Sequence, residues 1–271
     1  MNRPDMRTRI LTALALAAVL VGVLLFAPAW LARALFGLFI AAGAWEWSAF
    51  LRAVPHAARM GFVLLVALLA VGARVWLADA AQFAVLMQIA VASWIAALLW
   101  LWLWPQRAGA GAVAVAGVLA LVPTWVALTR MVETWPRGAQ WALFAMALAF
   151  AADTGAYFAG SAFGRVKLAP RISPGKTWEG VIGGMLLAAV VAIGGGHWFG
   201  LPPQRFVPLC LAAAAFSVVG DLTESMFKRA SGMKDSGRLF PGHGGVLDRI
   251  DSVLACTPVM CAGLLWMGVA A

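Results

Sequence analysis

The sequence predicts an all-α protein that crosses a lipid bilayer about nine times. Of its 271 residues, 63% are hydrophobic and only 11% are charged, and the mean hydropathy is +0.90. Soluble domains average about 45–50% apolar and about 25% charged residues. A water-soluble fold of this size could not bury so much apolar surface, so the sequence indicates that lipid is the solvent.

Apolar stretches of about 20 residues, the length that crosses the hydrocarbon core of a bilayer, recur along the whole chain. In order, the predicted spans cover approximately residues 9–27, 30–51, 59–78, 81–104, 108–129, 138–162, 178–199, 206–228 and 246–270. The first two form a hairpin through Ala27-Pro28-Ala29. This tripeptide also resembles a signal-peptidase site, but the long apolar stretch and the span that follows at once favour an uncleaved first helix.

The distribution of Lys and Arg predicts the topology. With the N-terminus in the cytoplasm, 15 of the 20 basic residues fall on the inner side. The other five fall on the outer side, namely Arg33, Arg74, Arg130, Arg137 and Arg205. Basic residues accumulate in cytoplasmic loops of membrane proteins, which explains the net charge of +9 without nucleic-acid binding. The Ala, Arg and Trp bias and the lack of an organelle-targeting segment further predict a multi-pass protein of a bacterial cytoplasmic membrane.

Carboxylates divide the chain into two parts of one membrane domain. Residues 1–137 carry four and are predicted to form N-terminal scaffold helices, whereas residues 138–271 carry seven and are predicted to form the catalytic region. Asp153 and Asp221 lie inside apolar stretches, roughly 10–15 Å below the inner surface. Such a carboxylate costs about 2.5–3.5 kcal/mol, so both are expected to line a polar cavity. An ion pair or hydrogen bond between helices is the structural alternative.

Two pairs of carboxylates have the spacing of one helix face. Asp221 and Glu224 are three residues apart, and so are Asp248 and Asp251. Favourable interaction with a helix N-terminal dipole is the simpler explanation for the second pair. Two acidic helix faces at one cavity would repel each other unless a cation lay between them. Because the candidate ligands are all carboxylate oxygens, the cation they favour is Mg²⁺. We therefore predict these four residues as metal ligands.

Two basic segments are predicted at the same end of the bundle. In residues 164–180 a turn leads into a helix start, where an anion could bind. This segment is not a P-loop, because Pro170 stands where that motif needs glycine, and an ordinary basic turn is the alternative. Residues 225–251 combine cations with glycines around a histidine, a pattern suited to polyphosphate.

The most distinctive stretch of the sequence lies in residues 225–251. The segment Ser225-x-Phe227-Lys228-Arg229-x4-Lys234-Asp235-x-Gly237-x2-Phe240-Pro241-x-His243-Gly244-Gly245-Val246-x-Asp248-Arg249-Ile250-Asp251 resembles the signature of phosphatidate cytidylyltransferases, the CDP-diacylglycerol synthases. The resemblance extends to three further segments, namely 153–157, 173–180 and 220–225. It covers roughly residues 150–255, and Gly175 stands where many members have a basic residue.

The resemblance implies that CTP and phosphatidic acid of the inner leaflet react to CDP-diacylglycerol and pyrophosphate. It also implies a homodimer, Mg²⁺ held by Asp221 and Asp248, and K⁺ as a second ion. We predict as catalytic residues Asp221, Asp248, Lys228 and Lys234. We predict as substrate-binding residues Lys176, Ser173, Thr177, Ser225, Arg229, Arg238, His243, Gly244, Gly245, Arg249 and Asp153. The alternatives are a membrane transporter and a different lipid phosphotransferase, although the aspartate motifs of prenyltransferases and CDP-alcohol transferases are absent.

Overall fold

A computed structural model describes residues 6–51, 54–104, 108–237 and 244–269. Its α-helices in chain order are α1 (Met6–Phe26), α2 (Ala29–Ser48), α3 (His56–Trp76), α4 (Ala80–Leu103), α5 (Ala110–Thr134), α6 (Gly138–Phe163), α7 (Trp178–Phe199), α8 (Pro203–Ala230) and α9 (Leu247–Trp266). Within the described ranges, α2 to α9 are all long and apolar enough to cross a membrane. The predicted fold class, an all-α multi-pass membrane protein, is confirmed.

A short hairpin between α6 and α7 was not predicted. Strand β1 (Lys167–Ala169) pairs antiparallel with strand β2 (Ser173–Thr177), where the sequence indicated only a turn. The segment links two long helices at a bundle end, and its backbone groups need partners. The backbone N–H and carbonyl groups of the two strands hydrogen-bond to each other. Ile172 of the turn is buried in the hydrophobic core. The predicted helix start is confirmed, because α7 begins at Trp178.

Small residues allow the helices of the C-terminal part to approach closely. A Cβ atom added at Gly155 of α6 would lie 2.5 Å from the carbonyl oxygen of Gly183 in α7. A Cβ atom at Gly220 of α8 would lie 2.5 Å from the carbonyl oxygen of Asp251 in α9. Small residues at such crossings are the usual basis of close helix packing in membranes. The second crossing holds the acidic residues of α8 and α9 against each other.

Helix α9 joins the two parts that the sequence distinguished. It packs against α4 and α5 of residues 1–137 as well as against α6 and α8 of residues 138–271. The two parts therefore share one core. The boundary at residue 137 stays a prediction.

The two ends of the bundle carry different charge clusters. At one end, Glu133 of α5 binds Arg33 of α2 at 2.7 Å and Arg74 of α3 at 2.6 Å. Arg130 donates to the carbonyl oxygens of Leu77 and Ala78, directly after α3, and Arg137 donates to the carbonyl oxygen of Trp198. Four of the five arginines predicted on the outer side thus lie at a single end. The acidic residues of the candidate site lie at the opposite helix ends.

Gly117 in α5 is required for the packing of α2. The indole Nε1 of Trp47 donates to the carbonyl oxygen of Val113 at 2.8 Å, and a Cβ atom at Gly117 would lie 2.6 Å from that nitrogen. We expect Gly117→Val to lower the free energy of unfolding by about 1–3 kcal/mol, the usual cost of overpacking a core. Thermal unfolding of the purified protein in detergent measures this. Gly111→Val is the matched control, because nothing lies within 4 Å of a Cβ at Gly111; equal stability of the two variants would contradict the prediction.

Candidate active site

Five carboxylates from three helices meet at one end of the bundle. Asp153 comes from α6, Asp221 and Glu224 come from α8, and Asp248 and Asp251 come from α9. Asp251 interacts electrostatically with Asp153, Asp221 and Glu224, and Glu224 interacts with Asp248. The structure thus brings together the acidic residues that the sequence analysis selected.

Lys228 bridges α8 and α9. Its ammonium nitrogen donates to Oδ1 of Asp248 at 2.7 Å and lies 3.0 Å from Oε1 of Glu224. The contact with Glu224 has the distance of an ion pair but not hydrogen-bond geometry. Glu224 is 1% exposed, and neither of its carboxylate oxygens accepts a hydrogen bond within the part of the chain that the structure describes. Lys228 is therefore the charge that balances the buried Glu224 and the partly buried Asp248.

The hairpin supplies the second lysine. Lys176 of β2 places its ammonium nitrogen 2.6 Å from Oδ2 of Asp221, and the other oxygen of Asp221 accepts a hydrogen bond from the hydroxyl of Ser225 at 3.3 Å. The sequence analysis predicted Lys176 as a substrate-binding residue but did not predict the hairpin that holds it beside Asp221. The hairpin carries a cation to the carboxylates of α8.

Backbone groups of the loop before α9 orient Asp248. Its Oδ2 accepts hydrogen bonds from the backbone N–H groups of Gly245 at 2.8 Å and Ser236 at 3.1 Å. Gly244 has a φ of +81°, and a Cβ atom there would lie 2.6 Å from Oδ2 of Asp248. The sequence predicted that Gly244 and Gly245 bind substrate. The N–H group of Gly245 binds a carboxylate of the protein itself, and substrate binding by these two glycines stays a prediction.

Sequence analysis missed the role of Glu46 in α2. Its carboxylate accepts hydrogen bonds from the N–H groups of Val246 at 3.1 Å and Leu247 at 2.7 Å, and from the hydroxyl of Ser236 at 3.0 Å. Glu46 is 6% exposed. A Cβ atom at Gly245 would lie 2.3 Å from its Oε2. It therefore holds both the loop and the N-terminus of α9, and the signal that could have revealed it was a lone carboxylate in a long apolar span.

Asp153 forms an interhelical hydrogen bond. The hydroxyl of Ser252 in α9 donates to its Oδ2 at 2.6 Å, and the N–H of Ser252 donates to Oδ1 of Asp251 at 2.8 Å. The structural alternative considered for Asp153 is thus present. Asp153 remains within electrostatic range of Asp221 and Lys176, so it borders the charged cluster as well.

The other predicted substrate-binding residues occupy several positions. The hydroxyl of Thr177 accepts from the N–H of Gly180 at 3.1 Å, so it caps α7, and Ser173 begins β2. Arg229 donates to the carbonyl oxygen of Ile172 at 3.3 Å, which ties α8 to the hairpin. Lys234 and Arg249 are exposed, at the end of the helix bundle that carries the site. Arg238 and His243 lie outside the described residues.

The predicted metal ligands form no ready cluster of three or more acidic, histidine or cysteine donors within the described ranges. Among the residues that the structure describes, two lysines, Lys176 and Lys228, contact carboxylates of this group of five. The buried oxygens of Glu224 have no hydrogen-bond donor in those ranges, and the donors are all oxygen, as hard divalent cations prefer. These residues therefore fit Mg²⁺, which stays a prediction.

A bundle of membrane-length helices with contacting lysines and carboxylates at one end has the features of a membrane-embedded enzyme that handles anionic substrates. The sequence profile described as the Cytidylyltransferase family matches residues 7–266. The chain belongs to this family, and the predicted class of nucleotidyltransferase is confirmed.

Two relatives match almost from end to end. The phosphatidate cytidylyltransferase of Pseudomonas aeruginosa is 40% identical over 279 residues, covering 96% of this chain and 97% of the relative. The phosphatidate cytidylyltransferase of Haemophilus influenzae is 40% identical over 286 residues, covering 93% of this chain and 96% of the relative. The phosphatidate cytidylyltransferase of Brucella suis matches 46% of this chain and 47% of its own length at 46% identity. The predicted family is confirmed, and the alternatives of a transporter or a different lipid phosphotransferase are not favoured.

Proposed function

We propose that this chain transfers the cytidylyl group of CTP to phosphatidic acid. The products are CDP-diacylglycerol, a precursor of phospholipids, and pyrophosphate. The activity named for the two near-full-length relatives supports this proposal. The structural observation that supports it best is the position of Lys228 between Glu224 and Asp248, close to the ion pair of Lys176 and Asp221.

The reaction is an in-line displacement at the α-phosphorus of CTP. A phosphate oxygen of phosphatidic acid forms the new bond to phosphorus, while the bond to the oxygen that bridges to the β-phosphate breaks. The electron pair leaves with pyrophosphate. Because the attacking phosphate is already anionic near neutral pH, the step needs no strong general base. Catalysis then depends on positioning and on neutralising negative charge.

Lys176 and Lys228 are suited to neutralising that charge. Both are held by carboxylates at the end of the bundle, so their ammonium groups are positioned before substrate arrives. A phosphate oxygen can share such an ammonium group, because it has three donors. Lys234 and Arg249 are exposed at the same end, and we assign them, with Arg229, Arg238 and His243, to contacts with the two substrates.

Asp221 and Asp248 would hold Mg²⁺, with Asp251 and Glu224 in support. The ion would stabilise negative charge on the pyrophosphate leaving group. We also propose K⁺ as a second ion. The two lysines on these carboxylates balance part of the acidic charge, so binding of a divalent cation would require them to shift toward the substrate phosphates.

We place the site and the N-terminus on the cytoplasmic side of the bacterial inner membrane. CTP is a cytosolic nucleotide, and the positive-inside rule agrees with this orientation. Phosphatidic acid would then enter from the inner leaflet. We also propose that the protein is a homodimer, as the family resemblance implies.

Labelled CTP tests the proposed reaction directly. With α-³²P-labelled CTP, the purified protein in mixed micelles should transfer label to the lipid phase only when phosphatidic acid is present, and EDTA should abolish the transfer. With γ-³²P-labelled CTP, the label should stay in water as pyrophosphate. Lipid labelled by the γ-phosphate would instead identify a phosphotransferase. Lipid labelling with diacylglycerol in place of phosphatidic acid would also refute the proposal.

A further inference from the structure

A cavity of about 340 Å³ lies between α4, α5 and α8. Its walls include Trp94 and Trp100 of α4, Val115 and Leu119 of α5, and Phe227 of α8. The hydroxyl groups of the two hydroxyl-bearing lining residues are used within their own helices: Ser93 donates to Ala90, and Thr223 donates to Val219. The walls therefore present almost only carbon.

The residues that line the cavity span about two turns or more of α4 and of α5. Its lining residues extend from Gly111 to Ala120 on α5 and from Ser93 to Trp100 on α4, which at a rise of 1.5 Å per residue corresponds to about 10–14 Å. Its outer rim includes Ala96, Ala112 and Val115, and Val115 is 58% exposed. Because α4 and α5 are membrane spans, this open side faces lipid. The shape is that of a groove for an unbranched apolar chain.

The groove lies beside the charged site. Thr223 and Phe227 line it, and each is followed in α8 by a charged residue of the site, Glu224 and Lys228 respectively. In a helix, residues one apart lie about 100° from each other, so the two pairs occupy adjacent faces at one level. Trp47 of α2 also lines the groove and directly follows Glu46.

We propose that this groove holds one acyl chain of the phosphatidic acid substrate, an inference that rests on the proposed function. The lipid enters from the exposed side at α4 and α5, one chain lies against Trp94, Trp100 and Phe227, and its phosphate reaches the adjacent charged face of α8. Lipid tails are as apolar as these walls, so the chain gains little from the hydrophobic effect on leaving the bilayer. The groove acts by orienting the phosphate for attack.

Substitutions that fill the groove test this. Ala96→Phe on α4 and Ala116→Phe on α5 place a ring inside it. We expect kcat/KM for dioleoyl phosphatidic acid to fall about tenfold, at the lower end of what shape discrimination achieves in apolar pockets. The value for dihexanoyl phosphatidic acid and the KM for CTP should not change. Ala92→Phe is the matched control, because Ala92 is exposed one helical turn before Ala96 and does not line the groove.

Photo-crosslinking locates the chain independently of folding or activity of the variants. Phosphatidic acid with a diazirine at the end of one acyl chain should label peptides containing residues 93–100 and 111–120 in the wild-type protein. Phosphatidylcholine with the same chain should label them less. Equal labelling by the two lipids, or an equal loss of activity toward both chain lengths, would overturn the inference. So would a changed oligomeric state with unchanged chain-length preference, because the groove would then be a contact between copies. Absence of product from either lipid with the wild-type protein would instead refute the proposed function itself.

Discussion

Asp248→Asn is expected to lower kcat for CDP-diacylglycerol formation by about 10²–10³-fold or more, comparable to the loss of a principal electrostatic group in other enzymes. The aspartate is the acceptor for Lys228 and for the N–H groups of Gly245 and Ser236. An asparagine has one oxygen and an amide that is itself a donor. At least one of the three donors would then face an N–H₂ group, and the buried lysine would lose a negative partner. Steady-state kinetics of the purified variant measure the loss.

Asp79→Asn provides the control for that experiment. It removes the same charge, but Asp79 caps the N-terminus of α4, which begins at the end of the bundle away from the site, and asparagine is an equally good capping residue. We expect it to retain full activity and the same amount of protein in the membrane. An Asp248→Asn variant within threefold of this control would contradict the assignment of Asp248 to the catalytic site.

Glu46→Ala is expected to cause the second large effect, a loss of about 100-fold in kcat. The substitution leaves two backbone N–H groups and the hydroxyl of Ser236 without an acceptor, at about 1–3 kcal/mol for each unsatisfied group. The loop before α9 would move, and Asp248 would lose its orientation. Glu46 is a positioning residue, because it acts on the reaction through Asp248 and not by touching substrate. Its loss should therefore reduce kcat more than it raises the KM for CTP.

Glu133→Ala separates this role from a general loss of stability. Glu133 also accepts from two partners, Arg33 and Arg74, and also ties helices together, but at the opposite end of the bundle. Both variants should unfold at a lower temperature in detergent. Only Glu46→Ala should lose activity at a temperature where both remain folded, and equal activity of the two variants would show that Glu46 is purely structural.

The helices and the acidic side of the site could be predicted because each depends on local patterns. Spans follow from apolar length, and the placement of Asp221 and Glu224 on one face follows from helical spacing. Asp153 drew attention because a carboxylate inside a membrane is costly. The same argument applied to Glu46, but its partners are Val246 and Leu247, about 200 residues later. Spacing along the chain cannot reveal such a contact.

The pairing of charges at the site could not be derived from the sequence either. Lys176 and Lys228 were expected to meet phosphates, and in the structure they bind Asp221 and Asp248. Which partner a lysine takes depends on the relative placement of β2, α8 and α9, which rests on close crossings at small residues such as Gly220. Gly245 illustrates the same limit, because glycines near a histidine suggest an anion site but do not say whose anion occupies it.

The bond between Glu46 and the start of α9 also constrains how the protein is made. Helix α2 leaves the ribosome long before residues 246 and 247 are synthesised, so during insertion its carboxylate enters the bilayer without the donors that later satisfy it. A lone carboxylate in lipid is costly, and that cost is relieved only when α9 docks. Assembly of the reaction centre therefore requires that α9 has been synthesised and has docked against α2.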